Sequence, residues 1–370
     1  MFVVTEDWYF CSHRLPLAQA AIKQGFDVSV ATRVAEHGEQ IRAAGISLIP
    51  FEMSRRGFNP FRELATFVQL AQLYRDQSPD IVHHVALKPV ILGSLAAWIA
   101  RVPTTVNAIA GLGYAFTSSD GVARILKSFI ATALPRLLNR RGSRVIVQNP
   151  DDRNALREMG VEQHRIALIP GAGVDPREFN IGEEGAEPIT VTLASRMIWD
   201  KGITAFVEAA EALKARFPDV RFVLVGRPDP GNPKAVPETQ LSDWHHRGVI
   251  EWWGYRADMP QVLRETHIVC FPSTYGEGVP KILIEAAASG KPIVATDIPG
   301  CREVVRHEES GYLVPPGEHG ALVNALAELI GDAAKRKAMG LRGRELFERT
   351  FAMDQVIAAT LAVYREALRE

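Results

Sequence analysis

The chain has 370 residues, 47% of them hydrophobic, and a formal net charge of −1 at pH 7. That is long enough for two domains, ordinary for globular α/β protein, and without the overall field that would recruit nucleic acid. Cys11, Cys270 and Cys301 stand far apart with no Cys-x-x-Cys pair, which argues against a disulfide framework or structural zinc site and fits a reducing compartment.

The opening Met1-Phe-Val-Val-Thr-Glu-Asp7 has neither the basic flank nor the long apolar run of a signal peptide. No stretch reaches the roughly 18 apolar residues of a spanning helix. Short apolar runs then alternate with helix-length segments: Phe2 to Thr5, Val28 to Thr32, Ile46 to Phe51, Ile81 to Ala86, Thr104 to Ile109, Val145 to Gln148 and the strand opening at Arg165. Such alternation predicts parallel strands with crossover helices. A Pro/Gly turn at Pro170 to Asp175 is the expected hinge. The alternation restarts with Ile189 to Ala194, Val220 to Val225, Val249 to Trp253, Ile268 to Phe271 and Ile293 to Thr296, and a last helix is expected over Ala352 to Arg369. Two doubly wound sheets follow, with ligands expected beyond the carboxyl ends of their strands.

The most informative stretch is Phe271-Pro-Ser-Thr-Tyr-Gly-Glu-Gly-Val-Pro-Lys-Ile-Leu-Ile-Glu285. It reads as a strand end, a glycine-bearing loop and a helix starting near Pro280. Gly276 and Gly278 leave room for a ligand at the backbone, and amides at a helix start favour anions. Glu277 and Glu285 could face one crevice, where carboxylates suit hydroxyl groups better than phosphate. Arg196 and Lys201, after the strand ending at Ala194, can converge on one diphosphate.

Here the sequence resembles the retaining family-four glycosyltransferases, whose donor-site signature is a Glu-Gly-x-Pro-x-x-x-x-Glu setting. The resemblance extends through Lys291 to Gly300 and Ser310 to Gly317, and upstream to Ser195-Arg196 and Lys201-Gly202. It implies a GT-B fold, two Rossmann-like doubly wound domains facing across a cleft. The first is expected over 1–170, with the helix of about 352–370 packing back on it, and the nucleotide-sugar domain over 171–351. Glu277, Arg196 and Lys201 are the implied catalytic residues. Arg196, Lys201, Tyr255, Gly278, Val279, Pro280, Lys281 and Glu285 would bind the donor, expected to be a UDP-sugar co-substrate. No other cofactor is expected, and no metal-cage pattern is visible, so transfer is expected to be metal-independent.

Trp8, Tyr9, Ser12, His13 and Arg14 follow the first strand in a loop where many relatives carry glycines, and suggest acceptor binding beside a packing role for the aromatics. Asn107 stands near where many relatives have a sugar-site histidine. From Gly121 to Pro150 no acid interrupts Arg124, Lys127, Arg136, Arg140, Arg141 and Arg144. With Arg55 to Phe61, this basic amphipathic stretch (121–144) suggests contact with an anionic membrane, alongside a core-packed reading of the same helix. The expected function is transfer of a sugar, with retention, to a polyprenyl-diphosphate-linked saccharide of surface-polysaccharide assembly. The site would be cytoplasmic, at the inner face of the membrane. The rival readings are a nucleotide-sugar 2-epimerase-like isomerase and a non-catalytic nucleotide-sugar-binding subunit.

Overall fold

The computed structural model describes residues 1–54, 59–112, 132–182, 187–229, 231–274, 276 and 278–370. They form two compact units, one of Met1–Gly173 with Asp354–Glu370 and one of Val174–Met353. The two chain passages between units are bonded to each other: the Val174 amide donates to the Phe351 carbonyl and the Met353 amide to the Val174 carbonyl.

In the first unit the described strands are β1 (Phe2–Glu6), β2 (Ser29–Arg33), β3 (Ser47–Pro50), β4 (Ile81–Val85), β5 (Thr104–Ile109), β6 (Ser143–Val147) and β7 (Ile166–Leu168). They pair in parallel, in the order β3-β2-β1-β4-β5-β6-β7. The central strands are buried almost throughout, as in a parallel sheet covered on both faces. The chain winds one way from β1 and the other way from β4, which puts this unit's switch point beyond the ends of those two strands.

The sheet interior also carries a polar network. His84 Nδ1 lies 2.8 Å from Asn107 Oδ1 and its Nε2 lies 2.9 Å from the Tyr74 hydroxyl; Asn107 also accepts from Ser94 Oγ and donates to Ser143 Oγ. Burial pulls the His84 imidazole down to about 4, so the ring is neutral near pH 7, donating from Nδ1 and accepting at Nε2. Asn107 is fully buried with its amide occupied. Asn107, an acceptor-site candidate from the sequence, here cross-links β4, β5 and β6 inside the sheet.

The Met353–Leu368 helix packs Val356, Leu361, Val363 and Tyr364 into the first unit's core. The Tyr364 hydroxyl meets His83 Nδ1 at 2.5 Å. At its far end Arg144 grips both carboxylate oxygens of Glu370, at 2.6 and 3.0 Å, while Arg141 donates to the Glu370 main-chain oxygen. Arg144 lies on β6, and the described helix before it covers only 132–138. The single basic helix expected over 121–144 thus does not reach Arg144. Its residues 121–131 lie outside the described residues, as do Arg55, Arg56, Gly57 and Phe58.

In the second unit β8 (Thr190–Ala194), β9 (Arg221–Val225), β10 (Glu251–Trp252), β11 (Ile268–Phe271), β12 (Ile293–Thr296) and β13 (Gly311–Val314) form a parallel sheet in the order β10-β9-β8-β11-β12-β13. Strand side chains alternate between faces: Ile268 and Cys270 join one core cluster, Val269 and Phe271 another. No strand was expected at β13.

The hold on Glu370 is open to test. Arg144 lowers the Glu370 carboxyl to about 2. The stability it contributes is present above the ordinary carboxylate range near 4.3 and is lost as pH falls towards the folded value. Arg144→Ala should cost about 1–3 kcal/mol in urea unfolding at pH 7 and speed amide exchange across the Met353–Leu368 helix. Exchange as slow as in the parent would contradict the assignment.

Candidate active site

The second sheet builds outward one way from β8 and the other way from β11, so its switch point lies beyond the ends of those neighbours. Arg196 leaves β8, and Lys201 ends the short 3₁₀ turn Trp199–Lys201. Gly202 follows with φ +76°, and a Cβ there would stand 2.0 Å from the Pro272 carbonyl oxygen. The turn therefore rests directly on the chain leaving β11, which only glycine permits. Two bonds fix the contact: the Thr274 amide and Ser273 Oγ both donate to the Asp200 carbonyl, at 3.1 Å. Lys201 Nζ lies 5.3 Å from the centre of the Phe271 ring, so its charge stands at the end of β11.

A second close approach joins β8 to β9. Gly226, with φ +141°, would place a Cβ 1.8 Å from the Ser195 carbonyl oxygen. Its amide donates to the Gly254 carbonyl at 2.7 Å, and the Trp252 indole donates to the Gly226 carbonyl at 2.8 Å. The turn carrying Tyr255 is thus tied beside Ser195 and Arg196. Tyr255 is exposed, with the Arg227 guanidinium 5.1 Å from its ring centre.

Sequence reasoning missed Asp229. Its carboxylate lies 2.5 Å from an Arg196 terminal nitrogen, a charge-assisted contact that orients the guanidinium. The chain around it is fastened to the cation-bearing segment. The Met197 amide donates to the Arg227 carbonyl, the Trp199 amide to the Lys234 carbonyl, and Lys234 Nζ to both Asp200 carboxylate oxygens. The available signal was an acid two residues after the basic turn Gly226-Arg227, but its alignment with Arg196 depends on strand order.

Beyond β11, Gly278, Val279 and Pro280 are buried, and Pro280 is the N-cap of the Lys281–Ala288 helix. The N-cap Pro280 itself supplies no side-chain cap, and the first turn of any α-helix points amides outward without intrahelical acceptors. Glu285 is 5% exposed and pairs with Lys281 Nζ at 3.1 Å. Burial pushes its carboxyl up, and Lys281 offsets part of that. Lys281 is thus engaged with Glu285 inside the donor-site candidate. Glu277 and Tyr275 lie outside the described residues.

In the first unit the expected loop after β1 is instead the helix Asp7–His13. Buried Asp7 explains it: its carboxylate accepts the amides of Trp8, Ala35 and His37 at 2.7–2.9 Å, fixing the helix start against the chain beyond β2. Trp8, Tyr9, Ser12 and His13 come together there, with the Tyr9 and His13 rings stacked at 4.2 Å and Ser12 Oγ 2.5 Å from His13 Nδ1. Arg14 is buried, with its charge felt at His83 and Tyr364. The helical turn carries it inward, so it does not share the exposure of Ser12. Among the described residues no group of three or more His, Cys, Asp or Glu is placed to hold a metal ion, and no helix is long and apolar enough to cross a membrane.

Comparison with known proteins agrees with this architecture. Residues 1–149 match the family described as Glycosyl transferase 4-like, and residues 188–332 match Glycosyl transferases group 1. The N,N'-diacetylbacillosaminyl-diphospho-undecaprenol alpha-1,3-N-acetylgalactosaminyltransferase of Campylobacter jejuni is 29% identical over 312 residues, 80% of each chain. The Escherichia coli UDP-Gal:alpha-D-GlcNAc-diphosphoundecaprenol alpha-1,3-galactosyltransferase is 26% identical, over 75% of this chain and 73% of that one. Among solved structures, Anabaena HepE in complex with UDP and glucose superimposes with a TM-score of 0.79 at 22% identity, covering 98% of both chains.

The raised Glu285 carboxyl gives a sign that can be checked. A folded value above the unfolded one makes the group's contribution most favourable at low pH and progressively lost as pH rises through the folded value. Glu285→Gln mimics the protonated form. It should raise the melting temperature at pH 8 by a few degrees, the scale of about 1 kcal/mol, and the gain should vanish near pH 4. A loss of stability at pH 8 would contradict this.

Proposed function

This chain belongs to the family-four glycosyltransferases of GT-B fold, and we propose that it moves a sugar from UDP to a polyprenyl-diphosphate-linked saccharide with retention at the anomeric carbon. The observation that carries the reading is the pairing of Arg196 and Lys201 with the glycine-bearing turn and helix start at one switch point. As the bond from anomeric carbon to phosphate oxygen breaks, negative charge grows on the departing diphosphate. Arg196, Lys201 and the amides beginning at Gly278 would stabilise it. The acceptor hydroxyl adds to the same face and its proton passes to the leaving phosphate oxygen. Glu285 would hold the donor ribose, Tyr255 and the backbone at Gly254 would meet the base, and Glu277 would position the hydroxyls of the transferred sugar.

Support for the donor and acceptor comes from relatives. HepE is seen with UDP, and the Campylobacter and Escherichia enzymes carry undecaprenol-diphosphate acceptors in their names. The positive charge that balances the leaving diphosphate is supplied in this reading by side chains and amides, so it calls for no metal. Trp8, Tyr9, Ser12 and His13 are the acceptor-side candidates in the first unit. A lipid-linked acceptor places the work at the inner face of the cytoplasmic membrane.

Incubation with radiolabelled UDP-sugars, with and without a bacterial lipid extract, tests this. Label should move into lipid only when extract is present, with donor anomeric configuration kept by NMR. Consumption of the donor to an isomer without extract, or UDP binding with no consumption at all, would overturn it. Glu277→Ala should cut turnover at least about 100-fold, the scale of a transition-state interaction, while UDP affinity changes little. Unchanged turnover would refute that role.

A further inference from the structure

The Pro60–Gln77 helix presents an apolar row to solvent. Phe61, Leu64 and Val68 are 85%, 60% and 55% exposed, and their spacing sets them on one face of the helix. Ala65 is exposed between them. The opposite face is conventional: Leu70, Ala71 and Tyr74 are buried in the core with Val3, Val82 and Ala97. Fraying does not explain the exposed row. Asn59 caps the helix by accepting the amides of Phe61 and Arg62, and Pro60 fixes its first turn. A firmly held first turn thus carries a phenylalanine almost wholly in water, where a lone exposed residue would be unremarked but a row at helical spacing marks a docking face.

Charge points to the occupant. Between Met53 and Arg75 the only acid is Glu63; it is buried and held by Lys88 at 2.7 Å. Arg62 is exposed beside Phe61, and the sequence places Arg55 and Arg56 just ahead of Asn59. Apolar side chains flanked by arginine, with the exposed acids Glu52 and Asp76 outside that stretch, complement an anionic lipid surface, into which such a helix lies in the plane of the headgroups. Position fits as well. The helix follows β3, so its first turns stand at the edge reached by the carboxyl ends of the strands, the edge that also carries Asp7–His13.

We propose that the first half of the Pro60–Gln77 helix is a membrane-docking face, with Phe61, Leu64 and Val68 entering the interface of an anionic bilayer. For its purpose the inference rests on the lipid-linked acceptor, but docking is measured with no sugar present, so either can fail alone. The full chain is sedimented with vesicles of phosphatidylglycerol and phosphatidylcholine, and with phosphatidylcholine alone. The parent should bind the anionic vesicles, and Phe61→Ser with Leu64→Gln should weaken binding roughly 30- to 100-fold, the share of two large side chains. That variant should keep its melting temperature and UDP affinity, because neither residue is in the core. Leu341→Gln, at an exposed apolar residue of the second unit, should bind as the parent does.

Parent protein that ignores anionic vesicles, or a double variant that binds equally well, would overturn the proposal. So would a parent dimer that the double substitution converts to monomer without loss of vesicle binding, which would assign the face to a second copy of the chain.

Discussion

The donor-side chemistry depends on two contacts in which a glycine backbone lies against a neighbouring carbonyl with no space for a side chain. Gly202 lies on Pro272, and Gly226 lies on Ser195. The first sets the Lys201 turn against the chain leaving β11; the second sets the Tyr255 turn against the chain leaving β8. A methyl group at either would collide with main chain, which cannot yield as a flexible side chain can. The positions of both cations relative to the helix start at Pro280 are therefore properties of backbone packing. The long side chains themselves need supply little of the order.

Charge is balanced within this arrangement. Arg196 faces Asp229 and Asp200 faces Lys234, so the cations and the chain that positions them are laced together before any ligand arrives. Glu285 is the costlier element: a carboxylate taken out of water and compensated by one lysine. Such a residue lowers stability at neutral pH, and its retention in a buried helix is understandable if hydroxyl groups complete its bonding.

Much of the fold was legible because parallel strands covered on both faces must be short apolar runs. Ile268 to Phe271 and Ile293 to Thr296 read directly from the sequence. β13 did not, because it opens on Gly311 and continues into Pro315, a composition that reads as a turn. The Asp7–His13 helix was hidden since its nucleating feature, Asp7 bonding to Ala35 and His37, spans distant chain. Arg144 was assigned to a helix for a related reason: polarity in a sequence does not tell an exposed side chain from one satisfied by a distant carboxylate. Asp229 has no motif of its own and acquires meaning only from the adjacency of β8 and β9.

The account stands on the diphosphate being held between the β8 and β11 ends, and the most direct measure is the difference between UDP and UMP binding by titration calorimetry. In the parent, UDP should bind about 100-fold more tightly than UMP, the scale of two charge-assisted contacts. In Arg196→Ala with Lys201→Ala that gap should shrink below about tenfold, while UMP affinity holds. An undiminished gap in the double variant would contradict the account.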